Sequence, residues 1–326
     1  MSKTSEKPTI FVTRRWPDAA EEALKQYFTP TFNEQDVPLT AAQIAAGFAS
    51  HDALAPTVSD QITADIIAAG AAGSGRLIAN FGVGVNHIDL SAAASAGLAV
   101  SNTPGVLTDA TADLALTLML MVSRRAGEGE RELRAGKWHG WRPTHLMGRS
   151  LSGKTLGIIG MGRIGKAVAH RAALGFGMKI IFFNRSKVTD ITDYDAKQID
   201  DLDALCTQSD FLSLHCAASA DTFHILNEYR LQRMPAHAYV INTARGDVID
   251  EAALVRALHN GSIGGAGLDV FQGEPDIHPD ILTAPNTVLL PHLGSATVET
   301  RTAMGLKVVE NARAFFAGER LIDPVV

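Results

Sequence analysis

The 326-residue chain is poor in cysteine, with only Cys206 and Cys216. Two thiols cannot make a disulfide framework, which excludes a small secreted scaffold held by bridges. Both read as buried, inert thiols, Cys206 in a predicted helix and Cys216 just after a predicted strand. Long apolar runs are also missing. The longest, residues 114–122, is too short to span a bilayer and contains Thr117. The start, MSKTSEKPTIFV, is polar and then strand-like, with no signal-peptide h-region. Positive charge is not in excess: the formal net charge is −6, so broad attraction to nucleic acid or anionic membrane is not expected. There is no solenoid repeat, no low-complexity segment and no metal-ligand spacing. A soluble cytoplasmic protein without nucleic-acid, membrane or metal partners is the expectation.

What is present is α/β alternation. Hydrophobic residues make up 46% of the chain, and its length suits two domains. Strands are predicted at residues 9–13, 52–55, 77–80 and 98–101, with helices at 18–28, 64–69 and 92–96. A further short helix is capped by Thr40 with Gln43 at the capping-box position. Residues 109–123 form a helix apolar on nearly every side. Residues 124–149 are rich in charge and carry Trp138, His139, Trp141 and His145. That segment does not read as an α/β repeat; its tryptophans suit either a core or an arm on a partner. Alternation resumes at residue 151, with predicted strands at 156–159, 179–183, 211–215, 239–243, 267–270 and 288–291. The intervening helices are 163–174, 202–207, 228–232 and 251–260, and a last helix, 297–316, ends at Gly318. Such alternation predicts parallel sheets covered on both faces.

The centre of the pattern is TLGIIGMGRIG, residues 155–165. Gly160, Gly162 and Gly165 form G-x-G-x-x-G directly after a strand and at the start of a helix, the context of a dinucleotide-phosphate loop. Gly160 permits the tight turn, Gly162 lets backbone approach a pyrophosphate, and Gly165 lets helix and strand pack closely. The next strand ends in Asn184-Arg185-Ser186-Lys187, with Asn184 19 residues after Gly165. An NAD site usually has Asp or Glu about there for the ribose 2′-hydroxyl. A neutral Asn followed by Arg185 admits a 2′-phosphate, which points to NADP(H), with NAD(H) as the alternative.

Three further strands end in polar clusters, TARG at 243–246, FQGEP at 271–275 and PHLGS at 291–295. Ligands bind beyond the carboxyl ends of such strands, so Arg245, Glu274 and His292 are expected at one crevice. Arg245 can bind a carboxylate and polarise a keto oxygen, and His292 can donate a proton to that oxygen. Glu274, paired with His292, stabilises the imidazolium. NFGVGV, residues 80–85, follows a strand of the first domain and is either an anion-binding nest or a plain tight turn.

These motifs together resemble the D-isomer-specific 2-hydroxyacid dehydrogenase family, and within it the glyoxylate/hydroxypyruvate reductases. The resemblance covers essentially the whole chain and is most specific in GIIGMGRIGKAVA, INTARGDVIDEAAL, GLDVFQGEP and LLPHLGSAT. It implies two Rossmann-like or flavodoxin-like domains with parallel sheets. The nucleotide domain, residues 104–293, would be inserted into a substrate domain of residues 1–103 and 294–326, with a dimerisation arm at about 124–150. It implies NAD(P)H-dependent reduction of a small 2-keto acid by a homodimer, with Arg, Glu and His of the family triad on Arg245, Glu274 and His292. It implies cofactor contacts from Thr108, Gly160, Met161, Gly162, Arg163, Ile164, Gly165, Asn184, Arg185, Ser186, His215, Thr243, Ala244, Asp269 and Gly294. Substrate contacts fall on Val83, Gly84, Arg245, His292 and, from the partner chain, Trp141. Among these, Asp269 would hold the nicotinamide amide. The chain departs from the family at residues 214–219, LHCAAS, where a Pro is missing beside the adenosine loop. The alternatives are a dehydrogenase for a bulkier 2-keto acid and, in another class, a non-catalytic dinucleotide-sensing binding protein. Phosphite oxidation is disfavoured because residues 80–85 lack a Lys, and formate oxidation because Glu274 stands where Gln is used.

Overall fold

The structure is a computed structural model in which residues 6–326 are described. The signal-peptide reading therefore falls partly on residues 1–5, outside the described residues. The chain divides into two compact units, Met1–Leu107 with Ala296–Val326, and Thr108–Ser295.

The first unit carries β1 (Thr9–Val12), α1 (Asp18–Tyr27), β2 (Thr29–Phe32), α2 (Ala41–Ser50), β3 (Ala53–Ala55), α3 (Ala64–Ala72), β4 (Leu77–Ala79), α4 (Leu90–Ser95) and β5 (Ala99–Ser101). Its five strands lie in the order β2-β1-β3-β4-β5, and every pairing is parallel. β3 and β4 are buried along their whole length, as strands covered on both faces must be. Thr40 and Gln43 form the reciprocal capping box at the start of α2. The C-terminal helix Val298–Phe316 packs on α1, and the chain end pairs with β5 through Val100 N–H and Val326 O. Both ends of the chain thus build one unit. The short strand β2 has no counterpart in the sequence reading. Its TPTF places a proline at an edge, where no ladder donor is needed.

The second unit begins with α5 (Thr108–Ser123) and α6 (Ala126–Arg134). It continues with β6 (Thr155–Ile159), α7 (Arg163–Phe176), β7 (Lys179–Phe183), β8 (Ala196–Gln198), α8 (Leu202–Gln208), β9 (Phe211–Leu214) and α9 (Glu228–Leu231). It closes with β10 (Tyr239–Asn242), α10 (Glu251–His259), β11 (Gly265–Leu268), α11 (Pro279–Thr283) and β12 (Thr287–Leu289). The seven parallel strands run β12-β11-β10-β9-β6-β7-β8. From β6, the first strand in sequence, the chain winds to β7 and β8 on one side and returns to β9 on the other. The switch point therefore lies between β6 and β9. β9, β10 and β11 are buried along their length. α5 packs on β10, β11 and β12, and Gly267 makes room for it: a Cβ there would sit 2.9 Å from Leu118 Cβ. The charged segment after α5 does contain a helix, α6. It buries no residue, so burial offers no apolar periodicity by which to recognise it. Among the described residues no helix is long and apolar enough to cross a membrane, and no group of three or more His, Cys, Asp or Glu could hold a metal ion.

Candidate active site

The glycine loop occupies the end of β6 at the switch point. Gly160 has φ +94°, and a Cβ on it would lie 2.6 Å from Cys216 N, on the loop after β9. A Cβ on Gly165 would collide with Gly160 O, so only glycine lets α7 pack this closely on the loop. Gly162 differs: its Cβ position is open, with no atom within 4 Å. It is the N-cap of α7 and no side chain caps the helix, so the first N–H groups and the positive dipole end face open space. An uncapped helix N-terminus with open space before it fits the phosphates of a dinucleotide.

Asn184, at the end of β7, accepts the Met161 N–H at 3.1 Å and donates to Ser186 O at 3.0 Å. Its amide therefore ties the glycine loop to the β7 turn. Arg185, Ser186 and Lys187 are exposed, and neither cation has an ion-pair partner among the described residues. His215 follows β9, with Nε2 2.8 Å from Ser213 Oγ, and burial pushes its pKa down to about 4. It is neutral at physiological pH. Met161 is buried, Arg163 exposed and Ile164 half-buried at the start of α7, while Thr108 is the first residue of α5.

Arg245, Asp269, Glu274 and His292 follow the ends of β10, β11 and β12. His292 Nδ1 lies 2.8 Å from Glu274 Oε2, and the Phe271 N–H donates to Glu274 Oε1 at 2.8 Å. Burial by itself would raise the Glu274 carboxyl. The His292 bond, the Phe271 N–H and the charge of Arg245 outweigh it and hold the pKa below the ordinary carboxylate value. Arg245 Nη1 donates to Ala244 O at 2.6 Å, and burial lowers its pKa against the pull of Glu274. Asn242 shapes this turn: its Oδ1 accepts the Ala244 N–H at 3.0 Å and its Nδ2 donates to Arg245 O at 2.8 Å. A Cβ on Gly246 would overlap the Phe271 carbonyl, so glycine lets the arginine turn sit against the glutamate loop. The buried Thr243 Oγ1 has no hydrogen-bond partner.

Asp269 accepts the N–H groups of Leu293 at 2.6 Å and Gly294 at 2.8 Å, and its carbonyl accepts the His292 N–H at 2.9 Å. Burial pushes its pKa up to about 6 against those two donors. Thr111, on α5, donates to Gly294 O at 3.0 Å. His292 stands at φ +55° and is held there from both sides. The imidazole is thus oriented at Nδ1 by Glu274 and through its backbone by Asp269, and its Nε2 has no partner among the described residues.

Residues 80–85 lie in the first unit. Asn80 Nδ2 donates to Gly82 O and Gly84 O, each at 3.0 Å, and Asn102 Nδ2 donates to Val83 O at 2.8 Å. The N–H groups of Val83 and Gly84 have no acceptor among the described residues. Trp141 is 82% exposed, and Trp138 and Met147, near it in sequence, are also exposed.

Sequence reasoning passed over Asn242, Asn80 and Glu251. Glu251 is buried at the start of α10, and its Oε1 accepts the Gln272 N–H at 2.6 Å, tethering the loop that carries Glu274. One signal was present for the two asparagines. Each lies at or just after the end of a strand and before a turn, the position from which an Asn amide bonds backbone a few residues on.

The sequence model of the family described as "D-isomer specific 2-hydroxyacid dehydrogenase, NAD binding domain" matches residues 116–294. The glyoxylate reductase of Thermococcus litoralis is 40% identical over 317 residues, 96% of this chain and 95% of that one. A solved chain from Polaromonas is 39% identical with a TM-score of 0.91, covering 98% of this chain and all of that one. The NADPH-dependent glyoxylate/hydroxypyruvate reductase of Sinorhizobium meliloti, solved with NADP and malonate, is 35% identical. Its TM-score is 0.88, over 98% of this chain and 97% of that one.

Proposed function

The chain belongs to the D-isomer specific 2-hydroxyacid dehydrogenase family, and from that membership we propose that it reduces glyoxylate or hydroxypyruvate to the 2-hydroxy acid. A bound nicotinamide dinucleotide supplies the hydride. Arg245 binds the substrate carboxylate and polarises the keto oxygen. His292 gives that oxygen its proton from Nε2. Glu274, ionised and bonded to Nδ1, stabilises the imidazolium before transfer and holds the ring in place. Asp269 sets the backbone of residues 292–294 and can accept a hydrogen bond from a carboxamide. Val83 and Gly84 offer backbone N–H groups to a carboxylate. The observation that supports the reading is the 2.8 Å His292–Glu274 pair, which engages Nδ1 and leaves Nε2 free to act as the proton donor.

NADPH is the preferred reductant in this reading. No carboxylate stands at the end of β7 to repel a 2′-phosphate, and Arg185 is exposed with no competing partner among the described residues. The working form is a homodimer in which Trp141 of the partner subunit walls the substrate. Residues 124–149 carry seven Lys or Arg against three Glu on a chain of net charge −6, so the arm is complementary in charge to the rest of a second copy.

Initial rates with glyoxylate, hydroxypyruvate and pyruvate, each with NADPH and NADH, test the proposal. Turnover of glyoxylate or hydroxypyruvate with NADPH favoured is expected, and His292→Gln should lose about 10²–10⁴-fold in kcat while binding dinucleotide normally. Undiminished turnover in that variant removes His292 as the acid. Equal rates with NADH make Arg185 a surface charge.

A further inference from the structure

We infer that Asn80, oriented by His87, holds residues 82–84 in an anion-binding conformation and so positions the substrate carboxylate. The inference rests on the reading of Val83 and Gly84 given above. A peptide unit is planar and trans, so the carbonyl of one residue and the N–H of the next point in opposite directions. The Gly82 carbonyl is turned inward by Asn80 Nδ2 at 3.0 Å and by the Thr103 N–H at 3.0 Å. That turns the Val83 N–H outward. The Val83 carbonyl is turned inward by Asn102 Nδ2 at 2.8 Å, which turns out the Gly84 N–H. The Gly84 carbonyl is again held by Asn80 Nδ2, at 3.0 Å. Successive outward N–H groups make a concave donor surface for an anion.

Asn80 is fully buried and His87 is 4% exposed. His87 Nε2 lies 3.0 Å from Asn80 Oδ1, an atom that can only accept, so the ring donates. The two loop carbonyls fix which end of the amide faces them, since a reversed amide would set its oxygen against two carbonyl oxygens, and the His87 ring N–H holds the amide oxygen on the other side. A plain turn needs none of this, because the Gly82 N–H already bonds to Asn80 O at 3.0 Å. The side chain adds what the turn lacks, a fixed direction for the Gly82 and Gly84 carbonyls, with Asn102 holding the Val83 carbonyl between them.

The test compares Asn80→Asp and His87→Leu with the unaltered full-length protein. Rates are measured over a range of glyoxylate at saturating NADPH, with NADPH binding and melting temperature measured alongside. Asn80→Asp replaces the donating NH₂ with an oxygen facing two carbonyls. It should raise the KM for glyoxylate about tenfold or more, with kcat within about threefold. NADPH affinity should not change, since the glycine loop belongs to the other unit. His87→Leu keeps the amide but frees its orientation, and should raise KM by about threefold in the same pattern. It carries the test if Asn80→Asp does not fold. An unchanged KM in a folded variant overturns the inference, as does a parallel loss of kcat and NADPH affinity. If the unaltered protein turns over neither glyoxylate nor hydroxypyruvate, the proposed function fails and this inference falls with it. If it is active and the variants keep its KM, only the role of Asn80 is removed.

Discussion

At the scale of single residues, the site is a set of side chains whose ionisation is set by burial against hydrogen bonds. Glu274 and Asp269 are both carboxylates beside the same loops, yet they are pushed in opposite directions. Glu274 has a histidine, a backbone N–H and an arginine to favour its charge, and its pKa is lowered. Asp269 is more deeply buried, and two backbone donors do not offset the desolvation, so its pKa rises to about 6. His215 gives the simplest case, since burial alone lowers its pKa from 6.5 to about 4. A lowered histidine pKa means the unfolded chain binds the proton more readily. Its contribution to stability is therefore whole above pH 6.5 and is lost as pH falls towards 4. The cofactor-free protein should lose about 2 kcal/mol from this residue between pH 7 and 4.5. His215→Gln should remove that part of the slope in urea unfolding at the two pH values. Equal slopes in the two proteins would place the ring in water.

At the scale of elements, the β6–α7 corner separates two uses of glycine that one motif combines. Gly165 is required by contact within the fold, whereas a Cβ on Gly162 would meet only the open space in front of the helix. Gly165→Ala should force α7 away from the loop, costing about 1–3 kcal/mol of stability together with dinucleotide affinity. Gly162→Ala should leave the melting temperature nearly unchanged and still weaken dinucleotide binding by about tenfold or more, if the phosphates bind at this helix end as proposed. Fluorescence titration with NADPH and thermal unfolding read the two effects separately. A Gly162→Ala protein that binds normally would mean that the phosphates lie elsewhere. The same logic of close approach recurs at Gly246, which lets the arginine turn meet the glutamate loop, and at Gly267, which admits α5.

At the scale of the whole molecule, the chain is arranged so that its two ends meet. The C-terminal helix and the final strand-like residues complete the first unit, and the second unit is inserted between them. Within the second unit, residues 135–150 carry exposed Trp138, Trp141 and Met147 with no regular structure beneath them. Exposed aromatic and sulfur-containing side chains together suit the proposed interface with a second copy. Light scattering should give twice the mass of one chain, and Trp141→Ala should raise the KM for the keto acid several-fold with little change in the fold. A monomer of full activity would remove the arm from the site.

Much of this was readable from the sequence because it depends on neighbours in the chain. Alternating strands and helices, the Thr40–Gln43 capping box and the glycine spacing at 160, 162 and 165 are local patterns with local physical causes. The grouping of Arg245, Glu274 and His292 followed from a rule of strand ends in parallel sheets. Four elements escaped, β2, β8, α6 and α11. The strands and α11 are short, and α6 buries no residue, so none of them leaves a clear apolar period. What only the tertiary structure decided are contacts between segments far apart in sequence. These are Glu251 on the Gln272 N–H, Asp269 on residues 293 and 294, Thr111 on Gly294, and Cys216 against Gly160. A sequence records which groups can bond, but partners twenty to two hundred residues apart are chosen by the packing that brings them to the same sheet edge.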